Sequence, residues 1–124
     1  LVLDYQSLGE DGWIYAAQHW TEPLDLSPFS YISFFISSSE TPCTVKVMFI
    51  DQDGERWCGN QVRDPAKSPR QVVWDLAGDM MRDAFDGVKN GNGRFDRDRI
   101  AGLAVAVNSG RPLRVRLARM EAWR

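Results

Sequence analysis

The residues of this chain best equipped for chemistry are large aromatics interleaved with amides and charged groups, and that chemistry is recognition. Trp57 follows Asp51-Gln52-Asp53-Gly54 in the stretch "VMFIDQDGERWCGNQV". The apolar runs on either side of that tetrapeptide read as the two strands of a β-hairpin. A turn at Gln52-Asp53 would set Val47 opposite Cys58, Met48 opposite Trp57, Phe49 opposite Arg56 and Ile50 opposite Glu55. Because strand side chains alternate, Cys43, Val45, Val47, Phe49, Cys58 and Val62 then share a core face, and Thr44, Lys46, Met48, Trp57 and Gln61 share the other. In residues 13–19 the odd positions Trp13, Tyr15, Ala17 and His19 carry the same mixture.

A solvated sheet face is normally polar. Aromatic rings among hydrogen-bonding groups instead suit a platform for flat, hydroxyl-rich ligands. Sugar rings stack their C–H faces on Trp and Tyr, while amides and charges bond the hydroxyls. The candidate binding residues are therefore Trp57 first, then Tyr15, Trp13, Lys46 and Gln61. The competing reading covers Trp57 and Met48 with a loop as a small satellite cluster.

Other chemistries have less support. Cys43 and Cys58 would stand about 13 Å apart along the hairpin, too far for a disulfide, and read as small core residues. Two thiols and a single histidine, His19, do not make a usual structural zinc site. No GxSxG motif is present, and none of the 17 acidic residues stands out as a catalytic pair. The chain reads as a non-enzyme. Asp51-Gln52-Asp53-Gly54 begins like a calcium loop, but tryptophan and glycine occupy the later ligand positions. Asn90-Gly91-Asn92-Gly93 also resembles part of such a loop, with Val88 and Arg99 failing at its ends. No cofactor is expected. Arg114 and Arg116 alternate with Leu113, Val115 and Leu117, which makes them the polar face of a strand. Salt bridges to the many aspartates are the plain reading of these arginines; lining the cleft and favouring acidic sugars is the sharper one.

Short strands must position these groups. Leu1–Tyr5, Trp13–Ala17, Tyr31–Ser37, Thr44–Ile50, Glu55–Val62, Gln71–Leu76, Gly102–Asn108 and Leu113–Leu117 all show strand patterning. Gly9-Glu10-Asp11-Gly12 reads as a turn, and residues 21–28, with two prolines, as a loop. Residues 78–88 read as a short helix or compact loop. The pattern predicts an all-β, antiparallel β-sandwich or barrel. With 124 residues it forms one domain, 1–124. A net charge of −2 gives no general attraction to nucleic acid or anionic membrane, and no apolar run approaches the ~20 residues of a membrane span. The chain opens directly on a strand-like run at Leu1, so it reads as a mature or excised piece.

The order "LVLDYQS", Gly12-Trp13, "PLDLSPFSYISFFIS", "VMFIDQDGERW", "VVWDLAGDM" and "FDRDRIAGLAVAVNSG" resembles the galactose-binding-domain-like jelly roll of carbohydrate-binding modules. It is most similar to the family 11 and complex I intermediate-associated types, over nearly the whole chain. The resemblance implies a secreted, non-catalytic module of a larger protein. Such a module binds β-glucan-like or other polysaccharide in a sheet cleft and targets an attached glycoside hydrolase. It supports Trp57, and also Tyr15, Lys46 and Gln61, as platform residues, and leaves the role of Trp74 open. It also implies a structural calcium, but the chain begins after the family's usual first acidic strand. Ala118 or a neighbour stands where a final-strand aspartate is usual, so the usual ligands are not evident. The alternative is an accessory β-sandwich that packs its mixed face on a neighbouring domain and binds no sugar.

Overall fold

The structure is a computed structural model and describes residues 2–5 and 13–124, with side chains over 13–124; the expected turn at Gly9–Gly12 lies outside the described residues. Among the described residues there are only strands and irregular segments. The strands are β1 (Val2–Tyr5), β2 (Ile14–Leu24), β3 (Tyr31–Ser38), β4 (Cys43–Asp51), β5 (Arg56–Cys58), β6 (Val62–Arg63), β7 (Arg70–Asp75), β8 (Met81–Arg82), β9 (Ile100–Ser109) and β10 (Leu113–Trp123). They form two antiparallel sheets. One has the order β1-β10-β3-β7, the other β2-β9-β4-β5-β8 with β6 also paired to β4. The fold is the expected antiparallel β-sandwich.

Period-two patterning explains the core. Ile32, Phe34 and Ile36 of β3 point inward, as do Val45, Val47 and Phe49 of β4, Val105 and Val107 of β9, and Val115 of β10. Trp74 of β7, whose role was open, is a core residue. Its indole meets Phe34 edge-on, with ring centroids 5.0 Å apart. It also lies against Gly59, where an added Cβ would sit 2.4 Å from the indole. The approach is open only to glycine, and Gly59 lies in the gap that divides the expected strand Glu55–Val62 into β5 and β6.

The outward residues of β4 and β9 behave differently from an ordinary solvated face. Met48, Ile50, Ala104 and Ala106 form a second buried cluster on the far side of that sheet. Its small alanines lower the sheet surface between bulkier neighbours.

Two expectations about the elements are corrected, and one open choice is decided. β2 continues through Pro23 to Leu24, where a loop was expected. It is an edge strand, and its pairing with β9 lapses between His19 and Leu24, so the missing amide of Pro23 breaks no ladder. Residues 78–88 form a compact loop holding the short β8, with no helix. The hairpin register is one residue off the expected one: Phe49 lies opposite Trp57 and Ile50 opposite Arg56. The turn has three residues, Gln52-Asp53-Gly54, closed by Asp51 N–H to the Glu55 carbonyl at 3.0 Å. Gly54 takes φ +84° at its last position, the left-handed conformation that such a loop requires. A one-residue slip exchanges the two faces of a strand. Trp57 therefore points inward and Arg56 outward; Cys58 packs against both the main core and the Met48 cluster, while Cys43 stays in the main core. Both thiols are free and raised in pKa, chiefly by burial.

Candidate binding groove

Four neighbouring strands, β2, β9, β4 and β5, and one loop build a groove of about 510 Å³ on the outer face of the larger sheet. The antiparallel register sets Tyr15 of β2, Ala106 of β9 and Lys46 of β4 in one row across the sheet. Neighbouring strands lie about 4.8 Å apart, so the small Ala106 leaves a trough roughly 10 Å wide between the two large side chains. Met48 forms part of its lining, Trp13 stands just before β2, and Arg56 of β5 with Asp83 and Phe85 forms the other wall.

Three of the rings lining this groove are open to solvent: Tyr15 is 52% exposed, Trp13 41% and Phe85 84%. Two carry a cation over one face. Lys46 Nζ lies 4.8 Å from the centre of the Trp13 ring, and the Arg56 guanidinium carbon lies 4.8 Å from that of Tyr15. These contacts hold both the rings and the cations in place. Asp83 sits between the cations, 3.8 Å from Lys46 Nζ and 3.5 Å from Arg56 Nη2. Arg56 Nη2 also donates to the Phe85 carbonyl at 2.5 Å.

The loop carrying Asp83 and Phe85 is pinned from beneath by Asp86. Its carboxylate accepts bonds from Arg82 Nε at 2.9 Å and Nη2 at 3.1 Å, from Val88 N at 2.9 Å and from Arg56 N at 3.3 Å. Donation from Arg82, the largest cause, brings the Asp86 pKa down to about 2. Asp83 N–H bonds the Arg56 carbonyl at 2.8 Å, which ties the loop to β5. Phe85 is thus held outward at the loop's tip.

The structure brings together Trp13, Tyr15 and Lys46 of the expected platform. Trp57 and Gln61 do not join them. Trp57 is 8% exposed; its ring lies 5.7 Å from that of Phe95, and its Nε1 donates to Asp51 Oδ2 at 3.1 Å. Gln61 is exposed between β5 and β6, outside the groove. Arg114 and Arg116, which could have lined the cleft, lie with Ser37 and Lys67 on the other sheet. Arg56, Asp83 and Phe85 are the residues that sequence reasoning missed. Asp51-x-x-Gly54 carried a signal for the three-residue turn that would have placed Arg56; the apolar spacing of residues 80–85 carried none for Asp83 and Phe85.

The hairpin acids have partners of their own. Asp51, Asp53 and Glu55 each bring an oxygen within 4.8 Å of the others. Asp51 Oδ1 accepts the amides of Asp53 and Glu55 at 3.0 and 3.1 Å. Glu55 accepts Gly93 N–H at 3.1 Å and meets Arg82 Nη1 at 3.1 Å, and Asp53 accepts Asn92 N–H at 3.3 Å. These acids dock the loop 90–96 onto the hairpin. Burial raises the pKa of Asp51 despite its three hydrogen bonds.

Two facing antiparallel sheets thus carry an aromatic- and cation-lined groove on one outer face. The chain is similar to the family 11 carbohydrate-binding module from Clostridium thermocellum solved with a β-1,3-1,4-mixed-linked tetrasaccharide. The TM-score is 0.76 at 15% identity, over 98% of this chain and 74% of that one. It is also similar to the family 11 module of a cellulosomal cellulase of Clostridium thermocellum, with a TM-score of 0.69 at 16% identity, over 98% and 72%. No family model and no curated protein sequence matches the chain.

Proposed function

We propose that the chain is a non-catalytic carbohydrate-binding module that holds a polysaccharide chain in the groove of the larger sheet. The observation that carries this reading is the pair of half-exposed rings, Trp13 and Tyr15, beside Lys46 and Arg56 in one trough. A saccharide would stack its C–H faces on the rings and offer its oxygens to the cations. The likeness in fold to modules that include a tetrasaccharide complex supports the same reading.

Hydrolysis by the groove itself would need two carboxyls flanking the scissile bond, roughly 5–9 Å apart. Among the described residues the groove has one, Asp83, and its side chain is 7% exposed between two cations. The module would be secreted as part of a larger protein. It would serve an attached glycoside hydrolase by keeping that enzyme near its substrate, an effective-concentration gain that needs only modest affinity.

Affinity electrophoresis through gels containing β-glucan, xylan or mannan tests the proposal. Retardation on at least one, weakened by Tyr15→Ala and by Trp13→Ala, is the expected result. Unretarded migration on all three, or retardation that both variants keep in full, overturns it.

A further inference from the structure

We propose that the groove selects glycans carrying carboxylate groups, uronic-acid units above all, over neutral chains of the same backbone. The inference rests on the reading of the groove as a saccharide site and adds the class of sugar.

The first ground is charge. Among the described residues, Lys46 and Arg56 line the groove, and Asp83 is the only carboxylate that does. The lining is thus positive in a chain whose net charge is −2, so the attraction is local. The second ground is what the groove leaves on offer. The Asp83 side chain is 7% exposed, against 16% for Lys46 and 14% for Arg56, and its Oδ1 accepts Phe85 N–H at 3.2 Å. A neutral sugar hydroxyl donates as well as accepts, and here the charged acceptor is shut away. A carboxylate only accepts.

The third ground is geometry. Asp83 stands 3.8 Å from Lys46 Nζ, beyond direct hydrogen-bond reach, and 3.5 Å from Arg56 Nη2, at its outer limit. The carboxylate holds both cations near one another without using up their donors. Arg56 Nε is buried and has no hydrogen-bond partner, while Arg56 Nη2 is engaged by the Phe85 carbonyl. Lys46 lies against Trp13 and Arg56 against Tyr15, so a sugar held in this trough would lie beside both cations. A ligand carboxylate there would complete the ion contacts that Asp83 leaves long.

The test uses glucuronoxylan against its carboxyl-reduced form, and polygalacturonate against its methyl ester, by titration calorimetry with the whole protein. Dextran sulfate is the charged control. The acidic member of at least one pair should bind about fivefold or more tighter, the scale of one ion contact. That ratio should shrink in about 0.5 M salt, where the Debye length is only a few Å. Lys46→Met should bring the ratio toward one, and Arg116→Met, on the other sheet, should leave it intact. Lys46→Gln serves if the methionine variant melts early. Equal or tighter binding of the neutral members overturns the acidic preference and leaves the saccharide site standing. If no glycan, acidic or neutral, binds, the site itself fails. Equal binding of dextran sulfate, or a ratio lost in Arg116→Met, overturns the proposal in favour of general polyanion attraction or the opposite face.

Discussion

Trp57 and Tyr15 are both large aromatics of the larger sheet, and the structure gives them opposite work. Trp57 has its ring against Phe95 and its N–H on the buried Asp51. Truncation to alanine should leave a cavity and an unpaired acceptor, costing about 3–5 kcal/mol of stability by thermal or urea unfolding. Trp57→Phe should cost far less, since only the hydrogen bond and part of the ring go. Tyr15 is half exposed at the groove. Its replacement by alanine should change stability by about 0.5 kcal/mol or less. Affinity for the bound glycan should fall roughly fivefold, the worth of one stacking contact near 1 kcal/mol. A Tyr15→Ala protein that unfolds early while binding normally would reverse these assignments.

Among the elements, the loop after β8 is the one on which the groove most depends, and its stability should follow acid titration. Asp86 ionises well below the ordinary carboxylate value, at about 2, because Arg82 bonds its charged form. A carboxylate held down in the folded state contributes stability above its unfolded pKa near 3.8 and loses it as pH falls through the folded value. The contribution, about 2 kcal/mol, should therefore fade between roughly pH 4 and pH 2. Asp51, raised by burial, acts in the opposite sense: its contribution is present at low pH and is lost as pH rises through its folded value. Denaturant melts of the wild type and Asp86→Asn across that window should show a smaller acid loss in the variant; equal losses would contradict the role of Asp86. Gly59 offers a second test at this scale. Alanine there would drive a methyl into the Trp74 indole, and a loss of about 1–3 kcal/mol is expected. Strands such as β3, β4 and β9 were legible because alternation depends only on neighbours in sequence. The hairpin face was misread because it turns on one extra residue in a loop, and Gly54 was the sole local sign of it. Asp83 and Phe85 were hidden because a loop pinned by Asp86 and Arg82, through contacts with β5, has no periodicity to read.

For the whole molecule, the two outer faces divide the charge and the aromatics between them. The larger sheet carries the groove with Trp13, Tyr15, Lys46 and Arg56. The smaller carries Arg114 and Arg116 at one end, and Tyr31, Val73 and Trp123 at the other. The sandwich was readable as a whole, since a run of short alternating strands leaves few other ways to bury one face of each. Which side of it carries the groove was readable only for Trp13, Tyr15 and Lys46, whose parity depends on no turn. The most direct measurement is the affinity of the wild type and of a Trp13→Ala/Tyr15→Ala double variant for a panel of acidic and neutral glycans. Measurable binding by the wild type, abolished in a double variant that still melts as a folded protein, is the predicted result. Binding that survives the loss of both rings would contradict the groove as the site.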